Sequence, residues 1–331
     1  MNIFPVLTST LSPQHIAFLV QQKYQLEERV TASILKTGIN HTYLVRAGDT
    51  KYIFRVYSFN WRTENEINEE IRLLNLLKEH NMPVSYPLKD TGGAYIQPLA
   101  APEGLRFAVL FSFAAGEKIL QFPASLHRQA GEIMARLHNI TANLQLDRVH
   151  YTPDILLGQS YGQLLQFLSE NTSEMLFMKS LREYLYNVFD QAGHQRLRKG
   201  IVHLDIWFDN MNINNNSITV FDFDFCGNGW LHLDIAYYVL QLYSTETEEN
   251  EFLLKRDHFL QGYESITSIS EEEKQLLPAA GAAMYLFYLG VQCARYDNWS
   301  NVFLNDIYLK RFIMLRVKRW CDFNRIVLPV L

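Results

Sequence analysis

Short runs in which apolar and polar residues alternate fill the first third of the chain, and this pattern predicts strands separated by turns. The predicted strands lie within residues 34–46 (two strands around a turn), 51–57, 94–97 and 107–113. Helical spacing of apolar residues predicts helices over residues 13–25, with Ser12 as the candidate cap, and 64–79. The rest of the chain is predicted to be mostly helical, without internal repeats or low-complexity segments.

One apolar stretch, over residues 276–294, approaches the length of about 20 residues that a membrane span requires. Its only polar side chains are Gln292 and the tyrosine hydroxyls. Pro278 and two glycines interrupt it, however, and a helix that is apolar on all sides is also typical of the centre of a large helical lobe. We therefore expect a buried core helix and no membrane partner.

Length and composition favour a two-lobed enzyme over a nucleic-acid-binding protein. The 331 residues exceed the usual size of a single core, and 48% of them are hydrophobic. A net charge of −5 argues against binding to nucleic acid, which usually requires a basic surface. The three cysteines are far apart, and no secretory signal is evident, so we expect a cytoplasmic protein. The oligomeric state stays open.

The most informative chemistry lies in two neighbouring segments, 202–210 and 220–224. They contain Asp205, Asn210 and Asp222, which provide a carboxylate that can accept a hydroxyl proton and oxygen ligands suited to magnesium. This set predicts a phosphoryl-transfer site. Taken singly, Asn210 and Asp222 could also be caps of an ordinary surface hairpin.

Turn-forming residues 214–217 predict that the two segments are joined through a β-hairpin. If the loop comprises residues 215–217, Ile213 pairs with Thr219, and Asn210 lies opposite Asp222. Directly opposed side chains share a face, with Cβ atoms about 5 Å apart. The predicted convergence depends on this register, since a slip by one residue moves Asp222 to the other face.

His203-Leu204-Asp205 with Asn210, followed by Asp222-Phe223-Asp224, resembles the signature of the aminoglycoside/choline kinase-like phosphotransferases, which include bacterial homoserine kinases. The resemblance implies a two-lobed, protein-kinase-like α+β fold. Residues 1–113 would form an antiparallel-sheet lobe with one main helix that cradles the nucleotide, and residues 114–331 would form a large helical lobe.

The same resemblance implies a role for each residue of the signature. Asp205 would be the catalytic base, Asn210 and Asp222 would bind Mg²⁺, and His203 would support the loop. The family usually has a small residue, often Gly, where this chain has Leu204. The larger side chain of Leu204 could narrow the substrate pocket or pack inward.

In the first lobe, the turn over residues 37–42, with Gly38 and Asn40, is expected to lie over the nucleotide phosphates. Arg55 occupies the strand position at which protein kinases carry a phosphate-binding Lys, and Glu70 on the next helix is its expected partner. Lys51 is the other candidate for the role of Arg55, and Glu66 and Glu69 are the other candidates for the role of Glu70. Alternatively, these charged residues form only solvated ion pairs.

Residues 111–117, including Phe113 and Ala115, are expected to form the hinge that contacts the purine. Asp234 matches a structural Asp of the family near the active-site loops. On the substrate side we expect Asp224, Trp207 and Trp230, since an ammonium-bearing substrate can stack on aromatic rings.

The predicted activity is transfer of the γ-phosphate of ATP, or of GTP, to a hydroxyl of a small molecule such as an amino alcohol, a homoserine-like compound or an aminoglycoside. One alternative is a nucleotide-binding pseudokinase that acts through a partner protein. Another is a metallohydrolase in which the His-x-Asp pairs beginning at His203 and His232 bind a transition metal together with Asp222. Only the hydrolase would require His232.

Overall fold

The structure is a computed structural model that describes residues 4–192 and 197–328. Strands and helices within these residues form a mixed α+β chain that divides into two compact units. The first unit extends to Ala115 and includes Asp297–Trp299. The second unit extends from Gly116 to Tyr296 and resumes at Ser300.

The first unit is built on an antiparallel five-stranded sheet with the strand order β1-β2-β3-β5-β4. Its strands are β1 (Val30–Thr37), β2 (His41–Ala47), β3 (Thr50–Val56), β4 (Ile96–Ala101) and β5 (Gly104–Ser112). Alternate residues of β2 face inward, so Tyr43 and Val45 pack with Ile16 and Val20 of the first helix. This apolar layer is the core of the unit.

Two helices accompany the sheet, α1 (Pro13–Tyr24) and α2 (Glu64–Glu79). The limits of α2 agree with the prediction because Thr63 and Glu66 form a reciprocal capping box at its start. Helix α1 ends one residue earlier than predicted, and the Ser12 side chain makes no capping hydrogen bond.

The predicted strands at 94–97 and 107–113 exist, but their bounds differ from the prediction. Strands β4 and β5 pair from Ile96 with Val109 to Ala101 with Gly104, so they continue to a tight turn. The polar turn residues in this stretch made both strands look shorter than they are.

The second unit is mostly helical. Its helices are α3 (Ala124–Ile140), α4 (Ser160–Leu164), α5 (Ser173–Gln191), α6 (His232–Thr245), α7 (Glu249–Glu264), α8 (Glu271–Ala294), α9 (Asp306–Phe312) and α10 (Lys318–Phe323). Four short strands form two antiparallel pairs: β6 (Lys199–Val202) with β9 (Gly227–Trp230), and β7 (Met211–Asn214) with β8 (Ser217–Val220).

Helices α3 and α7 approach so closely that each carries a glycine at the contact. A Cβ on Gly131 of α3 would lie 2.0 Å from the Phe259 carbonyl oxygen, and one on Gly262 of α7 would lie 1.9 Å from the Arg128 carbonyl oxygen. Only glycine avoids these collisions with backbone atoms. The close contact holds α3 in a fixed position, and α3 carries a histidine that supports the active-site loop.

Helix α8 corresponds to the apolar stretch in the sequence. Among the described residues it is the one helix long and apolar enough to cross a membrane, but 72% of its apolar window is buried within the second unit. It packs against α6 and α4, and Pro278 lies inside it. The surrounding helices therefore cover its apolar surface, as expected for a core helix.

Candidate active site

The candidate catalytic loop begins where β6 ends, and a buried carboxylate of α6 fixes it. Asp234 accepts a hydrogen bond from the backbone N–H of His203 to Oδ2 at 2.8 Å. Its other oxygen, Oδ1, accepts one from the N–H of Leu204 at 2.6 Å. Asp234 is 1% exposed, so these charge-assisted bonds lie in a region of low dielectric constant and are strong. Asp234 thus fixes the backbone of the loop at His203 and Leu204.

A chain of buried groups orients Asp234 in turn. His138 Nε2 lies 3.1 Å from Asp234 Oδ2, and His138 Nδ1 lies 2.7 Å from the Tyr263 hydroxyl. The His138 ring thus links the Asp234 carboxylate to the Tyr263 hydroxyl. Groups on α3, α6 and α7 thus jointly determine where the loop lies.

His203 is a structural member of the loop. Its Nδ1 accepts a hydrogen bond from the backbone N–H of Asp205 at 3.1 Å, and its Nε2 lies 3.3 Å from the Phe221 carbonyl oxygen. The ring also packs on Phe223, with centroids 4.3 Å apart. Burial lowers the pKa of His203, which keeps the imidazole neutral, as this bonding pattern requires.

The carboxylate of Asp205 is held through both of its oxygens. Asn210 Nδ2 donates to Oδ2 at 2.6 Å and to the Asp205 backbone carbonyl at 3.0 Å. The Tyr237 hydroxyl donates to Oδ1 at 2.6 Å. Burial raises the pKa of Asp205 to about 7 and the charge of Asp222 adds to the rise, whereas the Tyr237 hydrogen bond opposes it. Such a carboxylate can accept a proton near neutral pH.

The hairpin register differs from the predicted one by one residue. Ile213 pairs with Ile218 rather than with Thr219, because the loop contains only Asn215 and Asn216, both with positive φ. Two such residues make the tight turn that matches the twist of a hairpin. The predicted opposition of Asn210 and Asp222 is therefore wrong.

In place of that opposition, Asn210 faces Phe221, whose N–H donates to the Asn210 carbonyl at 3.0 Å. Asp222 follows with φ +65°, a backbone conformation that is uncommon for residues other than glycine. This bend ends the strand-like run of the chain. The orientation of Asp222 is thus set by its backbone conformation and not by strand pairing. Its negative charge acts on both Asp205 and His203.

Asp224, which we predicted on the substrate side, is 2% exposed. Its backbone carbonyl accepts a hydrogen bond from Arg148, whose NH1 group also contacts Cys226 Sγ at 3.4 Å. Arg148 is itself 6% exposed. The structure therefore places Asp224 in a buried part of the second unit.

The donor atoms near Asp205 fit a hard divalent cation. The Asn210 amide uses its nitrogen to bind Asp205, which leaves the amide oxygen as the atom suited to a metal, and Asp222 offers a carboxylate. Hard oxygen donors of this kind suit Mg²⁺. Within residues 4–192 and 197–328, no group of three or more His, Cys, Asp or Glu side chains is arranged to hold a metal ion. The His232 ring is fully buried and stacks on Trp230, with ring centroids 5.8 Å apart. Since His232 belongs to no metal-binding group within the described residues, the structure does not support the metallohydrolase alternative.

In the first unit the predicted ion pair between Arg55 and Glu70 is formed. Arg55 NH1 lies 2.7 Å from Glu70 Oε1, and the Tyr57 hydroxyl donates to Glu70 Oε2 at 2.9 Å. Arg55 is 7% exposed, and its guanidinium lies 4.8 Å from the centroid of the Phe111 ring. Both partners are buried, so the ion pair is not solvated.

The remaining residues predicted to bind the nucleotide also lie in the first unit. The Gly38 N–H donates to the Asn40 carbonyl, and Asn40 Oδ1 accepts from the Ser58 N–H. The Gly38 amide is therefore used within the turn itself and is not among the amides available to phosphates. Phe113 is half-buried beneath Lys51 Nζ, which lies 5.3 Å from its ring centroid, and Ala115 is exposed.

The two predicted substrate-side tryptophans have different surroundings. Trp207 is half-buried, and its ring lies 4.7 Å from that of Phe208. Trp230 is 7% exposed and packs on Phe189. It also borders a cavity of about 440 Å³ lined by residues of the segments 142–153, 199–200 and 228–230.

Sequence reasoning missed Tyr237 and Tyr288, which complete the hydrogen bonding around Asp205. Their rings stack with centroids 5.1 Å apart, and the Tyr288 hydroxyl donates to the Leu204 carbonyl at 2.8 Å. Tyr237 could have been found, because it lies three residues after Asp234 and so shares a face of α6 with it. Tyr288 has no comparable local signal.

Residues 32–268 match the model of a family described as "Phosphotransferase enzyme family". An uncharacterized protein of Synechocystis sp., sll1119, is 30% identical, and the match covers 94% of this chain and 86% of that protein. A homoserine kinase of Methylobacillus glycogenes is 26% identical, with 77% of each chain covered. Sequence similarity thus extends over nearly the whole chain.

Solved structures show the same fold. The chain resembles a microcompartment-associated aminopropanol kinase with a TM-score of 0.76 at 19% identity, covering 94% of this chain and 96% of that one. It also resembles the amicoumacin kinase hAmiN with a TM-score of 0.76 at 18% identity, covering 95% and 94%. These similarities confirm the predicted α+β, protein-kinase-like fold class.

Proposed function

The chain belongs to the phosphotransferase enzyme family, as the resemblance predicted, and is a small-molecule kinase; we propose that it transfers the γ-phosphate of ATP to the hydroxyl of a small acceptor in a magnesium-dependent reaction. Residues 1–113 would hold the nucleotide, and residues 114–331 would carry the catalytic loop and the acceptor. GTP is the alternative donor.

The observation that carries this proposal is the hydrogen bond between Asn210 and Asp205. Asn210 Nδ2 lies 2.6 Å from Asp205 Oδ2, so one amide orients the carboxylate with its nitrogen and keeps its oxygen for a cation. The base and the metal ligand are therefore positioned together. An asparagine that only capped a surface hairpin would not need to hydrogen-bond the Asp205 carboxylate.

Each residue has a defined task in the proposed reaction. Asp205 orients the acceptor hydroxyl and takes its proton as the new oxygen–phosphorus bond forms. The bond between the γ-phosphorus and its bridging oxygen breaks, and the nucleoside diphosphate leaves with that electron pair. Bound Mg²⁺, held by Asn210 and Asp222, would neutralise phosphate charge. The activation barrier is lowered by alignment of the reactants and by neutralisation of phosphate charge, without a covalent enzyme intermediate.

Arg55 is proposed to contact the nucleotide phosphates, with Glu70 fixing its guanidinium. The buried 2.7 Å contact between them supports this role, because a guanidinium that is already oriented loses less conformational freedom on binding phosphate. The turn around Gly38 and Asn40 would add backbone amides other than that of Gly38. Phe113 and Ala115 are proposed to contact the base.

For the acceptor we propose amino alcohols and homoserine-like compounds. The fold similarity to an aminopropanol kinase and the sequence similarity to homoserine kinases support this class, since both names denote acceptors with a hydroxyl and an amino group. Trp207 is the aromatic residue proposed to contact the ammonium group, because its ring is half-buried whereas Trp230 is buried. We place the reaction in the cytoplasm, where the three free cysteines would stay reduced.

The test is acceptor-dependent consumption of ATP with Mg²⁺, screened over amino alcohols, homoserine, aminoglycosides and sugars. Asp205→Asn should bind nucleotide like the wild type and lose roughly 100-fold or more in kcat, because the base is gone. Asp209→Asn is the matched control, since Asp209 is a nearby half-buried acid paired with Lys118 at 2.7 Å. Full turnover by Asp205→Asn would overturn the mechanism. Nucleotide binding without turnover on any acceptor would favour the pseudokinase alternative.

A further inference from the structure

We infer that Tyr237 is a positioning residue that orients the Asp205 carboxylate toward the acceptor hydroxyl. The inference rests on the proposed phosphoryl transfer and extends it to a side chain outside the loop signature. Its basis is the 2.6 Å hydrogen bond from the Tyr237 hydroxyl to Asp205 Oδ1.

Two donors from separate parts of the chain define the plane of the carboxylate. Asn210 lies just after the catalytic loop and binds Oδ2, whereas Tyr237 projects from α6 and binds Oδ1. With Asn210 alone, the carboxylate could rotate about the bond from Cβ to the carboxyl carbon, because that terminal torsion is soft. The second donor removes this freedom. Because each carboxylate oxygen can accept more than one hydrogen bond, the oriented group can also accept one from an acceptor hydroxyl.

Tyr237 is itself held rigidly. It is 2% exposed on α6, and its ring stacks on Tyr288 with an interplanar angle of 28°. The Tyr288 hydroxyl donates to the Leu204 carbonyl, so the stacked pair contacts the catalytic loop at two successive residues. Burial, followed by the negative charge of Asp205, raises the pKa of Tyr237 well above 10. Tyr237 therefore stays protonated and acts as a donor.

An alternative is that Asp205 only provides a hydrogen-bond acceptor for the buried hydroxyl of Tyr237. In that case removal of the hydroxyl would lower stability and leave the chemistry of the folded enzyme unchanged. A positioning role instead lowers kcat, because misorientation of a catalytic group costs rate even when substrates still bind. The ratio of the kcat effect to the KM effect separates these alternatives.

Tyr238 provides a matched control on the same helix. It is 3% exposed, its hydroxyl lies 2.8 Å from His127 Nδ1, and its ring stacks on Phe259. Tyr238→Phe thus removes a buried, hydrogen-bonded phenolic oxygen just as Tyr237→Phe does, but away from Asp205. Stability effects of the two substitutions should be similar.

The experiment compares wild type, Tyr237→Phe and Tyr238→Phe with ATP and Mg²⁺, and with 1-amino-2-propanol and L-homoserine as acceptor probes. Unfolding is measured in parallel. For Tyr237→Phe we expect a fall in kcat on the order of ten-fold or more with an unchanged KM for ATP. For Tyr238→Phe we expect kcat within about two-fold of wild type.

Equal kcat values for Tyr237→Phe and Tyr238→Phe would overturn the inference while leaving the proposed function in place. Absence of wild-type turnover with every acceptor would overturn the proposed function, and the inference with it. If Tyr237→Phe does not fold, Tyr288→Leu takes its place, since it removes the ring that stacks on Tyr237. Tyr288→Phe is then the control, because it loses the same hydroxyl bond to the Leu204 carbonyl but keeps the ring. A lower kcat in Tyr288→Leu than in Tyr288→Phe supports the inference, and equal kcat values overturn it.

Discussion

The backbone N–H of Leu204 donates a 2.6 Å hydrogen bond to Oδ1 of Asp234, thirty residues further along the chain. To make this bond, Leu204 adopts a φ of +61°, in the left-handed region that favours glycine. Its side chain is fully buried, so it packs inward. The position thus requires an unusual backbone conformation, and this chain adopts it with a leucine.

Substitutions at Leu204 should reveal this backbone strain. At an ordinary buried position, Gly is less stable than Ala by about 1 kcal/mol or more, because it loses a buried methyl group and more chain entropy. At Leu204 the left-handed conformation costs Ala roughly 1–2 kcal/mol that Gly does not incur. We therefore expect Leu204→Gly and Leu204→Ala to have nearly equal free energies of unfolding, both well below wild type.

Ile206 provides the comparison for that measurement. It is 2% exposed in the same loop and has no positive φ. Urea unfolding should show Ile206→Gly to be less stable than Ile206→Ala by about 1 kcal/mol or more. A gap between Gly and Ala at Leu204 as large as that at Ile206 would argue against strain at Leu204.

Prediction from sequence was most successful where local signals determine the structure. The limits of α2 follow from helical spacing and from the capping pair Thr63 and Glu66, which lie within one turn. The Arg55–Glu70 contact was expected from the resemblance to protein kinases, in which a strand Lys pairs with a Glu of the next helix.

The errors arose where geometry is decided by details that the sequence leaves ambiguous. Four consecutive turn-forming residues, 214–217, permit loops of two or three residues, and the register of the hairpin depends on which forms. Tyr288 binds the carbonyl of Leu204 across 84 residues, a contact that only tertiary packing creates. Trp230 is buried against Phe189, a packing contact that the sequence does not indicate.

The metal assignment predicts an altered Mg²⁺ requirement when Asp222 is replaced. Asp222→Asn removes a negatively charged oxygen donor, so the Mg²⁺ concentration for half-maximal activity should rise at least about ten-fold. Calorimetry should show the same loss as weaker Mg²⁺-dependent binding of ATP, independently of turnover. Asp209→Asn, which removes an equal charge from the Lys118 ion pair, should leave both quantities nearly unchanged. Equal shifts in the two variants would indicate a general electrostatic effect instead of ligation.

His232 should make the protein less stable in mild acid without contributing to catalysis. Burial lowers the pKa of His232 from 6.5 to about 4; Arg198 also lowers it, and Glu273 opposes the shift. The unfolded chain therefore binds a proton near pH 6.5, whereas the folded chain binds it only near pH 4. The contribution of the neutral His232 ring to the free energy of unfolding is fully present above pH 6.5 and is lost progressively as the pH falls toward 4. The slope from this one group can reach about 1.4 kcal/mol per pH unit.

His232→Leu should remove this part of the slope, because an apolar side chain of similar size takes up no proton. We expect the variant to gain stability relative to wild type between pH 7.5 and pH 5, measured by urea unfolding, and to keep its phosphotransferase turnover at pH 7.5. His15→Gln, at an exposed position, should follow the wild-type profile. A metallohydrolase would lose its activity with His232, so retained turnover and a flatter pH profile in one variant would separate a buried core histidine from a metal ligand.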